Sequence, residues 1–203
     1  MKKLYSNIEE VRIVKDPNEV GKIITDMDKC VEQLAQATAK MTSVLAKYAG
    51  SNLGVQYDKA SKAAVALYKS IKAYAVEIND VQNQVDRMIA KICEYDDRRK
   101  TSPAPRKSNI GELRVDVNRT PAVFTVCEMT IVRDTLANYV SKTQEEIDKL
   151  LRCKENVGAF WKDRQYRDFS DMIDQLGAMV KPQLAALREY AQYLAGKIKG
   201  LAS

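Results

Sequence analysis

These 203 residues contain no histidine. That removes His-based catalytic triads, His metal ligands and imidazole proton shuttles from consideration. Glycine and proline are scarce, at eight and five, which favours long uninterrupted helices over a turn-rich β fold. The four cysteines, Cys30, Cys93, Cys127 and Cys153, form no C-x-x-C pair, so a zinc cluster is not expected. Each lies in or beside an apolar helical stripe, which predicts reduced core thiols made in a reducing cytoplasm. Cys127 and Cys153 fall on one expected helix and stand roughly 39 Å apart at its rise, too far to bridge. Nor can Cys30 and Cys93 pair within a single hairpin. No apolar run approaches the length of a membrane span. No apolar stretch follows Lys2 and Lys3 as it would in a cleaved leader. The expected location is therefore cytoplasmic, or secreted without a cleaved signal peptide.

Apolar residues make up 45% and charged residues 30%, ordinary for a chain that buries a core. The net charge of +6 is divided evenly between the first hundred residues and the rest. Neither half is a basic arm, so a solvated mixed-charge surface is expected, and nucleic acid or an anionic membrane is the alternative class of partner.

The most telling stretch is Asn156–Asp163, a small glycine turn leading into the sole Trp. After it Phe169, Ile173, Leu176, Val180, Leu184, Leu187, Ala191, Leu194 and Ile198 recur at steps of three and four, one face of a helix. Three further helices are expected. The first runs from Pro17 to Tyr48, opened by Asp16, Pro17 and Glu19. Gly50 is a candidate left-handed cap at its end. The second runs from Val55 to Tyr95, and the third from Thr120–Pro121 to Lys154, with reversal at Asn156–Gly158. Pro182 should kink the fourth.

Shifted by 106 positions, Leu67, Tyr74, Ile78, Val81 and Val85 fall on Ile173, Val180, Leu184, Leu187 and Ala191. Val11–Ile13 and Leu113–Val115 are matching extended lead-ins. The reading is an all-α chain of two antiparallel helical hairpins forming a four-helix bundle with long helices. The expected organisation is a first hairpin over 1–95, a Pro-rich basic linker over 96–112, and a second hairpin over 113–203. The linker cluster of Arg98, Arg99, Lys100, Arg106 and Lys107 is a candidate phosphate grip; a solvated, protease-sensitive connector is the expected use.

A short extended lead-in, a Pro-initiated helix, a small-residue turn, an aromatic elbow and a second helix resemble the WXG-type, early-secreted-antigen-like hairpins of bacterial type VII secretion. Gly158-Ala159-Phe160-Trp161-Lys162-Asp163 falls where that family's Trp-x-Gly turn lies, with Lys162-Asp163 in place of x-Gly. Tyr57-Asp58-Lys59 takes the corresponding place in the first half. The resemblance implies a non-enzymatic secreted substrate, or a helical partner or chaperone of one, working without a cofactor.

The candidate turn and partner-contact residues are Gly54, Tyr57, Gly158, Phe160, Trp161 and Phe169. Trp161 is of the type that anchors partners; the plainer expectation is that it packs across the tip against Phe160 and Phe169. No catalytic residue, metal ligand or cofactor site is expected. Glu145, Glu146, Asp171 and Asp174 should be solvated rather than poised for acid/base work. The expected role is a protein–protein interaction module with a helical partner or self-association and no small-molecule substrate. A membrane- or nucleic-acid-associated rod, or a generic bundle adaptor, is the other reading.

Overall fold

A computed structural model describes residues 17–50, 54–95, 105–113 and 123–202. Of these, 89% are helical, and no strand occurs among the described residues. The helices are α1 (Pro17–Lys47), α2 (Gly54–Tyr95), α3 (Val126–Phe160) and α4 (Arg164–Ala202). At the helical rise of 1.5 Å they are rods of roughly 45–65 Å.

The helices form because their apolar positions keep a 3.6-residue period and their partners cover that stripe. In α4 every stripe residue from Phe169 to Leu194 is buried. In α1 the stripe is Val20, Ile24, Met27, Val31, Leu34, Met41 and Leu45. Burying one such side chain fully contributes about 2 kcal/mol over leaving it wet. Pro182 lies on the exposed side of α4, so its missing donor faces solvent while the helix continues on both sides.

α3 begins later than its proline suggests. Val123–Thr125 are not helical, and Thr125 caps the helix. Its hydroxyl accepts the Glu128 N–H at 3.2 Å, and the Glu128 carboxylate accepts the Thr125 N–H at 3.1 Å. This reciprocal box satisfies two donors that the first turn leaves open. Val126 is therefore in the first turn and exposed. The helix also overruns Asn156–Gly158, and the reversal falls at Trp161–Asp163.

Each hairpin packs on itself, α1 against α2 and α3 against α4, and the hairpins then meet through α1–α3 and α2–α4. Cys30 meets Glu146, Thr38 meets Tyr139 and Tyr48 meets Phe124, so α1 and α3 run antiparallel. Tyr57 meets Tyr190 and Tyr74 meets Met179, so α2 and α4 do too. Each hairpin's tip thus lies beside the open end of the other.

Four of the five pairs at the 106-position shift are buried on both sides, whereas Val81 is only half-buried against fully buried Leu187. Leu67, Tyr74, Ile78 and Val85 and their counterparts 106 positions on, Ile173, Val180, Leu184 and Ala191, are all buried. A second register relates α1 to α3 at 105 positions: Ile24 to Met129, Val31 to Leu136, Thr38 to Thr143 and Leu45 to Leu150, again all buried. The lead-ins at 11–13 and 114–115 lie outside the described residues.

Candidate functional site

At the second tip, Gly158 is a helical residue, not the turn. A Cβ there would overlap the Tyr166 hydroxyl oxygen, so glycine is the clearance that lets Tyr166 lie across α3. Tyr166 donates to the Lys154 carbonyl at 3.3 Å. Trp161 leaves the helix at φ −130°, its N–H donating to the Val157 carbonyl at 2.9 Å. Asp163 opens α4 by accepting the Tyr166 N–H at 2.9 Å. The Trp161 side chain is fully buried, stacked on Phe169 at 6.4 Å and beside Tyr166 at 6.3 Å. Its expected ring partner Phe160 is half-buried on the core, and Tyr166 takes the place beside the indole. The indole N–H has no hydrogen-bond partner among the described residues.

At the first tip the left-handed residue is Gly54, with φ 73°. Tyr57 is buried and donates to the Leu45 carbonyl at 2.7 Å, pinning the start of α2 to the end of α1. Its ring meets Tyr190 edge-on at 5.9 Å, and Tyr190 stacks on Tyr193. Gly54 and Tyr57 therefore occupy one end of the bundle, and Gly158, Phe160, Trp161 and Phe169 the other. Antiparallel docking keeps the two groups apart.

Between the ends runs a polar seam that sequence reasoning missed. Thr38 donates to the Leu34 carbonyl at 2.6 Å and pairs with the Tyr139 hydroxyl at 2.6 Å, with both residues buried. About two turns away, Cys30 donates to the Glu146 carboxylate at 3.0 Å. Burial first, and that hydrogen bond second, push the Cys30 thiol well above its ordinary range. The Glu146 carboxyl is held below its usual value by the same bond and by Lys149. Glu146 is thus engaged rather than merely solvated, and Asp174 pairs with Lys154 at 2.6 Å. Cys127 is exposed, contrary to the expectation of a core thiol, while Cys30 and Cys153 are half-buried. The signal in the sequence was a Thr at an apolar-stripe position in both halves.

Where it is described, the linker is mostly solvent-exposed, as a connector should be, but it is also hydrogen-bonded along hairpin one. Residues 105–113 run antiparallel to α2 along hairpin one. Arg106 pairs with Asp86 at 3.4 Å and donates to the Thr25 hydroxyl at 3.2 Å, so its charge is used internally. Lys72 pairs with Glu112, and the Tyr68 hydroxyl donates to the Gly111 carbonyl at 3.0 Å. Arg98, Arg99 and Lys100 lie outside the described residues. Among those described, no group of three Cys, Asp or Glu side chains is placed to hold a metal ion, and no helix is long and apolar enough to cross a membrane. No protein-family model, curated protein or solved structure matches the chain.

Proposed function

We propose that the chain is a non-enzymatic helical module that works by protein–protein contact, with the first-hairpin end of the bundle as its contact surface. The observation that carries this is that four of the seven large apolar side chains exposed among the described residues lie at that end. Val55 opens α2 at that tip and is 65% exposed; Val123, before α3, is 88% exposed; Leu201, in the last turn of α4, is 64% exposed. Val126 joins them. Apolar groups gathered at one end, on a bundle whose core is already closed, are what a helical partner or a second copy would cover.

The finer reading is a type VII-like secretion substrate, or the helical partner or chaperone of one. It is supported by the elbow sequence Gly158–Asp163 and by two similar hairpins docked head to tail. Photo-crosslinkers placed singly at 55, 123 and 201, with a mid-bundle control at Asp80, test the surface. Adducts should concentrate at the first three positions, and those from position 55 should vanish when Val123→Asp and Leu201→Asp are added together. Equal labelling at Asp80 would remove the proposal. The finer reading requires export that stops when the secretion ATPase is inactivated.

A further inference from the structure

We infer that hairpin one is a receptor for an extended, arginine-bearing peptide, and that residues 105–113 occupy that receptor in cis. The seat is distinct from the apolar end discussed above and does not depend on it.

Its first element reads backbone. The Asn83 side chain donates to the Arg106 carbonyl at 3.1 Å and accepts the Arg106 N–H at 2.8 Å. One amide therefore satisfies both main-chain groups of a single residue, as a neighbouring strand would, and does so whatever side chain that residue carries.

The second element reads the side chain. The Arg106 guanidinium enters a socket between α1 and α2, donating to Thr25 and pairing with Asp86. The socket is organised by the hairpin itself. Buried Gln82 donates to one Asp86 oxygen at 3.0 Å and accepts from the Thr25 hydroxyl at 3.2 Å. Among the described residues, the other Asp86 oxygen is enclosed and has no hydrogen bond, and the guanidinium is its charge partner at 3.4 Å. Without a cation there, a carboxylate oxygen would be buried uncompensated, which is costly. The socket thus calls for a positively charged planar group.

The third element reads the far end. Tyr68 holds the Gly111 carbonyl, Lys72 holds Glu112, and Ile110 and Leu113 rest half-buried on the core. The residues making these bonds, Thr25, Tyr68, Lys72, Asn83 and Asp86, all belong to hairpin one. The polar part of the seat thus lies within hairpin one.

Because the strap is tethered, its local concentration is of order millimolar, and a competing peptide must overcome that. The test uses the full-length chain with residues 105–113 replaced by nine Gly/Ser residues, titrated by NMR with the free peptide Pro105–Leu113. Saturable shifts at Thr25, Asn83 and Asp86 are expected. They should weaken at least roughly tenfold when the peptide's Arg is changed to Ala, or when the chain carries Asn83→Ala. The unmodified chain should need about ten times more peptide, since its own strap competes. Absence of saturable shifts up to several millimolar, or equal binding of the Ala peptide, overturns the inference. So does loss of helicity in the strap-replaced chain, because a receptor folds without its ligand. A parallel measurement uses hydrogen exchange on the unmodified sequence. Protection of the Arg106 amide should be lost with Asn83→Ala while the four helices stay protected; an unprotected Arg106 amide in the parent chain overturns the inference equally.

Discussion

The hydroxyls of Thr38 and Tyr139 lie 2.6 Å apart in the seam where the two hairpins meet, both shielded from water. A buried polar pair among aliphatic side chains fixes axial register, because sliding either hairpin by one turn would strand both groups against apolar neighbours. Removing one partner takes away the bond that crosses between the hairpins; loss of the Tyr139 hydroxyl leaves Thr38 only its own-helix bond to the Leu34 carbonyl. Thr38→Val or Tyr139→Phe should each cost about 1–2 kcal/mol, and the double variant should cost less than their sum. Denaturant melts of the four proteins in the cycle measure the coupling; strict additivity would mean that the pair does not act as a unit.

Gly158 gives a prediction of sign. Gly to Ala inside a helix ordinarily gains about 1 kcal/mol. Here the new methyl would drive Tyr166 off α3 and away from the Trp161 ring. Gly158→Ala should therefore be destabilising, with an altered Trp161 emission. In a Tyr166→Ala background the same substitution should become stabilising. Thermal melts decide it; a gain in both backgrounds would show that Tyr166 does not depend on the glycine.

The cysteines should differ in reactivity. Cys127 is exposed, whereas Cys30 is half-buried and shares its proton with Glu146. Burial and that carboxylate disfavour the Cys30 thiolate, which is the reacting form. Iodoacetamide at neutral pH, followed by peptide mapping, should modify Cys127 well before Cys30 or Cys153. Glu146→Gln should speed labelling of Cys30.

Acid sensitivity has two opposed components. Glu112, Glu128 and Glu146 are held below the usual carboxylate value of 4.5, chiefly by hydrogen bonds from Lys72, Thr125 and Cys30. Their contribution is present above about pH 4.5 and is lost as pH falls through the lowered values. Asp28 is raised above 3.8, first by burial and then by Glu32. Its contribution has the reverse sign, present at low pH and lost as pH rises from 3.8 through the raised value. Asp28→Asn should thus raise the melting temperature at pH 7 and make no difference near pH 3. Glu128→Gln should flatten the acid limb of the stability curve.

Much of the bundle could be read from spacing alone. The α4 stripe from Phe169 to Leu194, the two hairpin reversals and the 106-position register depend on periodicity, which is local. The onset of α3 was obscured by Thr120–Pro121, a strong start signal, although Thr125-x-x-Glu128 lay five residues further on and formed the cap. Asn156-Val157-Gly158 looked like punctuation because glycine usually serves conformation. Here it serves clearance for a ring eight residues away, which no local pattern records. The linker was judged by composition, and polarity suggested solvent. Its hold on Asn83, Asp86 and Tyr68 depends on contacts across tens of residues, and only the folded chain supplies them.

The head-to-tail docking also carries a mechanical consequence. α1 starts at the end of the bundle marked by Trp161, and α4 finishes at the end marked by Tyr57. A tether drawn from Pro17 and Ala202 would load the bundle as a strut in shear. Its interlocking layers would have to slip together instead of peeling one turn at a time, and the crossing segment along α2 would be stretched along the same axis.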